Sequence, residues 1–72
     1  MFDIGYSEAW SAETKDARRQ YERAYYRAKN LRNAIERVSP DEFEMTMNAL
    51  EAAERDLIMK ARLFENLMRK EA

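Results

Sequence analysis

The chain lacks the residues that small domains most often use to stabilise themselves or to carry out chemistry. Its 72 residues include no cysteine and no histidine, which excludes disulfides, thiolate metal sites and the usual zinc sites. The commonest general bases and nucleophiles are missing for the same reason. Because a chain of this size buries only about 60% of its unfolded surface, we expect self-association or a macromolecular partner to add stability.

The chain also has little glycine or proline. It has no long apolar run and no excess of charge of either sign. One glycine (Gly5) and one proline (Pro40) leave little material for loops, so the chain can be helical from about Ser7 onward. No apolar run approaches the roughly 18 residues of a membrane span, and the first residues do not resemble a signal peptide. With 13 basic and 14 acidic residues there is no overall attraction to nucleic acid or to an anionic membrane. We therefore predict a cytoplasmic location and no membrane partner.

Two apolar stripes with heptad spacing dominate what is present. Both step alternately by three and four residues, the spacing that keeps one face of an α-helix against a partner helix. The first stripe is Trp10, Thr14, Ala17, Tyr21, Ala24, Ala28, Leu31, Ile35 and Val38, and the second is Phe43, Met47, Leu50, Glu54, Leu57, Ala61, Phe64 and Met68. They predict an all-α fold, an antiparallel two-helix hairpin of coiled-coil type.

The segment between the stripes has the features of a helix start. Ser39 is a good N-cap, Pro40 suits the first helical position, and Glu42 completes a capping box. Val38 and Phe43 occupy the positions of a hydrophobic staple. We predict a single domain over 1–72, with an arm over 1–6 and helices over 7–38 and 40–70. Both Ser7 and Ser11 are suitable N-caps for the first helix.

Charged residues beside the stripes fit an antiparallel pairing of the two helices. Antiparallel pairing brings Arg32 near Glu51 and Arg18 near Glu65. Glu54 interrupts the second stripe, and three roles are open for it. It reaches outward to Arg27 or to the Tyr25 hydroxyl, it fixes the register of the two helices, or it binds a cation of a partner.

The second helix has more apolar residues than a hairpin uses. Another heptad-spaced line, interrupted by Asp56, lies on its far side: Met45, Ala49, Ala52, Met59 and Leu63. A helix that is apolar on two sides is normally covered on two sides. One interpretation is scattered surface residues; the other is an interface with a second copy, giving a four-helix bundle, or with another protein. The predicted protein-binding residues are Met45, Met59, Leu63, Tyr25 and Tyr26, with Phe2 and Tyr6 of the arm.

A nucleic-acid interface is the alternative use of the surface. Residues 15–37 contain eight basic and three acidic residues, and arginine with tyrosine can contact phosphates and stack on bases. The candidate residues are Arg18, Arg19, Arg23 and Arg27. Asp16 and Glu22 interrupt this patch, as they would on a solvated, salt-paired helix face.

These features together predict a binding protein rather than an enzyme. We identify no catalytic, cofactor-binding or metal-binding residue and expect no cofactor. We predict a homodimeric module that binds another protein and modulates or inhibits it. An inhibitor of a host enzyme, of the kind that phages and plasmids encode, fits the size class of the chain. A small RNA- or DNA-binding regulator and a structural subunit remain as alternatives.

Overall fold

The hairpin predicted from the two stripes is confirmed. The computed structural model describes residues 8–71, in which helix α1 spans Ala12–Ala34 and helix α2 spans Pro40–Lys70. The two helices pack against each other, and no strand occurs between residues 8 and 71. The arm over 1–6 and Ser7 lie outside the described residues. Of the two N-caps that the sequence offered for α1, the structure uses Ser11.

Helix α1 is shorter at its start than the predicted range of 7–38. Ser11 adopts an extended backbone, and its Oγ accepts a hydrogen bond of 3.3 Å from the Thr14 N–H. This hydroxyl satisfies one of the amide groups that the first helical turn leaves without a partner, so the helix begins at Ala12. Glu13 adds a negative charge in the first turn, where the helix dipole favours it.

The prediction that α1 continues to Val38 is wrong because the chain needs room to reverse. Pro40 disfavours helical geometry at the preceding residue, and Ser39 is extended, with φ −69° and ψ 160°. The reversal therefore takes place over 35–38, where the Arg37 N–H donates to the Ala34 carbonyl at 2.8 Å.

The predicted capping box at Ser39 is also wrong in its detail. Ser39 holds the N-cap position, but its side chain accepts no capping hydrogen bond. The Ser39 backbone carbonyl instead accepts from the Glu42 N–H at 3.0 Å. Pro40 at the first helical position supplies the φ angle that a helix needs and requires no partner for an N–H. The proline thus starts α2 without help from the serine hydroxyl.

The core is a seam between the helices in which all the buried α1 residues except Tyr21 are small. On α1 the buried residues are Thr14, Ala17, Tyr21, Ala24 and Ala28, all of them members of the first stripe. On α2 they are Leu50, Ala53 and Phe64. Alanines on α1 let the two backbones approach closely, which gives the interior density that a small core requires.

The second stripe is only partly buried. Ala53, which is not in the stripe, is buried, whereas Glu54 is intermediate and Phe43 is 50% exposed. A small residue fits at position 53 against the alanines of α1, and the larger Glu54 falls at the edge of the seam.

An aromatic cluster closes the open end of the hairpin around Phe64, which is 0% exposed. The Trp10 ring meets Phe64 edge-on, with ring centroids 5.4 Å apart and planes at 81°. The Tyr21 ring stacks on Phe64 at 6.2 Å. Such pairs add about 0.5–1.5 kcal/mol beyond the area that they bury. Burial, and to a smaller extent the nearby Tyr25, raises the pKa of Tyr21.

Glu71, which the sequence analysis did not single out, ties the end of α2 to the start of α1. Its carboxylate accepts hydrogen bonds from the Ser11 N–H at 2.7 Å, from the Ser11 hydroxyl at 3.2 Å and from the Thr14 hydroxyl. The Thr14 hydroxyl, followed by the Ser11 amide, lowers the pKa of Glu71. The carboxylate thus serves as a second cap for α1, supplied by the other helix.

The ion pairs differ from those that the register predicted. Arg32 pairs with Glu54 at 2.5 Å rather than with Glu51. Arg18 pairs with Glu22 at 2.5 Å along its own helix. Glu65 likewise pairs within α2, with Arg69 at 2.7 Å. Glu54 therefore reaches outward to a basic residue of α1, although to Arg32 and not to Arg27. Each of these pairs is partly solvated, so each contributes at most about 1 kcal/mol.

Candidate functional site

One side of α2 presents three of the exposed large apolar side chains among residues 8–71. Met45 is 72% exposed, Met59 is 67% exposed and Leu63 is 48% exposed. With Ala49 and Ala52 they form the α2 strip, a line beside the seam. Ala49 and Leu63 border α1, where they line depressions together with α1 residues, and the other three members lie further from it. Ala52 is exposed and Ala49 is half-buried. Such a heptad-spaced line on an exposed helix face has the geometry by which helices pack on each other.

Asp56 interrupts the α2 strip but does not present an isolated charge. Its carboxylate accepts from the Lys60 ammonium at 3.2 Å, one turn further along the helix. Both side chains are partly covered. The pair lowers the cost of bringing another apolar surface over this part of the strip, because neither charge is left alone.

One margin of the α2 strip carries four charged residues, acidic towards the start of the helix and basic towards its end. They are Glu44, Glu51, Arg55 and Arg62, and all four are exposed. None forms an ion pair with another residue of 8–71. The strip therefore has an apolar centre and a margin that changes from negative to positive along the helix.

A second surface, the α1 groove, runs along the side of α1. Its described lining is Arg19, Glu22, Arg23, Tyr26, Arg27, Asn30, Leu31 and Ala34 from α1, and Ala49 from α2. Tyr26 is 53% exposed. Its ring and the Tyr25 ring meet in a T-shaped pair with centroids 5.3 Å apart, and the Lys29 ammonium lies over the Tyr26 ring, 5.9 Å from its centroid. Ala49 belongs to both surfaces, so the groove and the strip adjoin.

The four arginines predicted to bind nucleic acid do not all lie together. Arg19, Arg23 and Arg27 line the α1 groove, but Arg18 lies outside it and pairs with Glu22. Arg19 is 3.5 Å from the Asp16 carboxylate. Arg23 and Arg27 form no ion pair within the described part of the chain. Two guanidinium groups of the groove are thus available to an acidic ligand.

The residues predicted to bind protein fall on two surfaces. Met45, Met59 and Leu63 share the α2 strip, whereas Tyr26 lines the α1 groove. Tyr25 is half-buried and packs against Tyr21 at 6.4 Å. Phe2 and Tyr6 lie outside the described residues. The exposed charges beside the strip are the feature that sequence analysis missed, and their order along α2 was the signal available for finding them.

Chemical groups in the described part of the chain are those of a solvated helical surface. Among residues 8–71, no group of three or more acidic side chains gathers as a metal site would require. No buried side-chain nitrogen or oxygen lacks a hydrogen-bond partner there. The two displaced pKa values, those of Tyr21 and Glu71, belong to residues that hold the open end of the hairpin.

Comparisons with known proteins identify no relative of this hairpin. No protein-family model matches the chain, and neither a curated protein nor a solved structure does. Neither α1 nor α2 combines the length with the apolar composition that crossing a bilayer requires. The class that the fold defines is therefore an all-α helical hairpin with an exposed apolar strip.

Proposed function

We propose that this chain is a non-catalytic protein-binding module that uses the α2 strip to dock on a helical surface. The observation that carries the proposal is the exposure of Met45, Met59 and Leu63 along one line of α2. Methionine is flexible and polarizable and is frequent on adaptable binding surfaces. A long apolar line on one side of a surface helix is the feature that helix-in-groove recognition uses.

The module would act by occupying a surface of its partner. The strip lies on a helix of 31 residues that is formed before docking, so little backbone conformational entropy is lost when the strip docks. A helix that covers a functional surface is sufficient to inhibit or redirect the protein that carries it. This mode of action agrees with a regulatory role in the cytoplasm and requires no chemistry on the chain itself.

A capture experiment with a matched control tests this proposal. The wild-type chain, Met59→Glu with Leu63→Glu, and Ile58→Glu are immobilised sparsely, so that each molecule is monomeric with its strip uncovered, and are exposed to lysate of the native host. Ile58 is 51% exposed and lies outside the strip, so its variant controls for an added acidic residue on α2. We expect a specific partner to be retained by the wild type and by Ile58→Glu and lost with the strip variant. Identical protein sets on all three would contradict the proposal.

RNA or DNA binding is the second candidate, and the α1 groove favours it. Arg23 and Arg27 line the groove beside the exposed Tyr26 ring, an arrangement that suits phosphates and unstacked bases. The test is titration with single-stranded RNA at several salt concentrations. Arg23→Ala with Arg27→Ala should weaken binding and reduce its salt dependence, whereas Arg37→Ala with Arg69→Ala removes two charges elsewhere and should have less effect. No salt-dependent binding by the wild type would dismiss this candidate.

A further inference from the structure

We propose that the occupant of the α2 strip is a second copy of this chain, with the two α2 helices packed antiparallel about a two-fold axis. The inference rests on the proposed function, in which the strip is a protein-binding surface, and it names the partner. A two-fold interface needs a surface that is complementary to itself, so that residue i contacts residue j and residue j contacts residue i. The strip meets this requirement in shape and in charge.

The shape of the strip is self-complementary when the axis passes beside Glu54. Residues equally far before and after this position then face each other across the interface. Met45 faces Leu63 of the second copy, and Met59 faces the small Ala49. The pairing of the large Met59 with the small Ala49 allows the side chains of the two helices to interdigitate.

The position of Asp56 distinguishes antiparallel from parallel packing. In the antiparallel arrangement Asp56 faces Ala52 of the second copy, which leaves space for the Asp56–Lys60 pair at 3.2 Å. Parallel packing would bring Asp56 against Asp56 of the second copy, two like charges within an apolar surface. It would also set alanine against alanine and leave gaps. The antiparallel arrangement avoids both costs.

The charges at the margin of the strip fit the same antiparallel packing, with a small offset. With the axis beside Glu54, Glu44 and Arg62 of the second copy differ in level by two residues, about 3 Å along the helix, and so do Glu51 and Arg55 of the second copy, an offset that these long side chains can span. Because of the two-fold axis, each pair occurs twice. All four residues are exposed and without an ion pair inside residues 8–71, so each is available for such a contact. An unrelated partner would not require the acidic and basic halves to mirror each other within one helix.

The arrangement also determines where the α1 helices lie in the dimer. At the 3.6 residues per turn of an α-helix, the centre of the α2 strip lies about 110° around the helix from the buried residues Leu50, Ala53 and Phe64. The two α2 helices therefore lie in the middle of the four-helix assembly, with one α1 beside each of them.

Sedimentation equilibrium over a range of concentrations tests self-association. The wild-type chain and Ile58→Glu should behave as dimers in equilibrium with monomers. Met59→Glu with Leu63→Glu should raise the dissociation constant by about 30-fold or more, because it places charges at the centre of an apolar interface. Circular dichroism confirms that each variant keeps its helical content. A wild type that stays monomeric at millimolar concentration, or a dimer that the strip variant leaves intact, would overturn the inference.

A charge exchange tests the pairing across the axis. Arg62→Glu alone should weaken the dimer by about 10-fold, since it replaces two attractive contacts by repulsive ones. Adding Glu44→Arg to the same chain should restore the dissociation constant to nearly its original value, because the exchanged residues face each other again. A dissociation constant for the double variant that is higher than that of Arg62→Glu alone and of Glu44→Arg alone would contradict the pairing.

Cross-linking tests the direction of the helices. Since the chain has no cysteine, Met45→Cys and Leu63→Cys introduce unique thiols. A short bis-maleimide should join the two variants when they are mixed but neither variant to itself, because like positions lie about 27 Å apart along antiparallel helices. Cross-linking of Met45→Cys to itself would indicate parallel packing and overturn the arrangement.

The failures of the two proposals are distinguishable. If the chain is monomeric and the strip variant nevertheless loses a captured host protein, the strip is a protein-binding surface and the second copy is not its occupant. If the chain is monomeric and the strip variant loses nothing, both proposals are wrong.

Discussion

The inner face of α2 is covered by α1, whereas the outer strip of the same helix is exposed. Phe64 on the inner face is fully buried, and its neighbour Leu63 on the strip is about half exposed. Both residues are large and apolar and both belong to heptad-spaced lines. The spacing of apolar residues in the sequence indicates how many apolar faces a helix has. The burial of those residues in the structure shows which face packs inside the hairpin. We assign the face that remains exposed to binding.

The two faces should differ most in how much the free energy of unfolding changes when a large side chain is truncated to alanine. Phe64→Ala should lower the free energy of unfolding by about 3–5 kcal/mol, because it leaves a cavity within the aromatic cluster. Leu63→Ala should lower it by about 1 kcal/mol or less at concentrations low enough to keep the chain monomeric, because only about half of the Leu63 side chain is buried. Urea denaturation measures both. A stabilising osmolyte keeps the Phe64 variant folded if its remaining stability is too small. Equal losses would show that the two faces are not distinct.

Enlarging two adjacent alanines sharpens the same comparison. Ala53 is buried against α1, and Ala52 is exposed on the strip. Ala53→Leu should cost about 1–3 kcal/mol, since the close approach of the helices leaves no space for a larger side chain. Ala52→Leu adds the same atoms on the outer face and should leave the stability of the monomer within about 0.5 kcal/mol. Thermal unfolding of dilute samples distinguishes the two, and a neutral Ala53→Leu would indicate a loosely packed seam.

Acid should weaken the hydrogen bonds by which Glu71, at the end of α2, holds Ser11 and Thr14 at the start of α1. Folding lowers the pKa of Glu71 from its ordinary value of 4.5, so its contribution to stability is complete above that pH. The contribution is lost as the pH falls through the lowered pKa. The Tm difference between the wild type and Glu71→Gln should therefore narrow in acid. Glu36→Gln, which changes an exposed carboxylate in the turn, is the control. A Tm difference that is independent of pH would contradict this role of Glu71.

The smallest expected effect is that of the cross-helix ion pair at the edge of the seam. Arg32 and Glu54 are 2.5 Å apart, but solvent reaches both side chains. A double-mutant cycle with Arg32→Ala and Glu54→Ala should therefore give a coupling free energy of about 1 kcal/mol or less. A markedly larger value would mean that Glu54 fixes the register of the helices, one of the roles that the sequence left open.

The sequence predicts the hairpin and the α1 side of its core from apolar spacing alone. Alanine, threonine and tyrosine in the first stripe include every α1 residue that is buried. The strip on α2 was also identifiable, because it is a second heptad-spaced apolar line on a helix whose first line already packs on α1. These features depend on local periodicity, which a helix transmits directly to its faces.

Features that depend on the other helix could not be predicted in this way. Ala53 is buried because the alanines of α1 bring the backbones together, and this distance is not a property of α2. Glu71 caps α1 from the far end of the chain, through contacts that no sequence spacing encodes. Arg32 selects Glu54 over Glu51 because the seam is slightly rotated from the predicted stripe. Each of these outcomes is set by packing between the helices.

The central claim is that one face of α2 folds the chain and the other face joins it to a second molecule. The dependence of Tm on protein concentration tests it most directly, because only a chain that is stabilised by association melts at a higher temperature when concentrated. We predict a rising Tm for the wild type and for Ile58→Glu, and a constant Tm for Met59→Glu with Leu63→Glu. A wild-type Tm that does not change with concentration, or a strip variant that no longer folds, would contradict the claim.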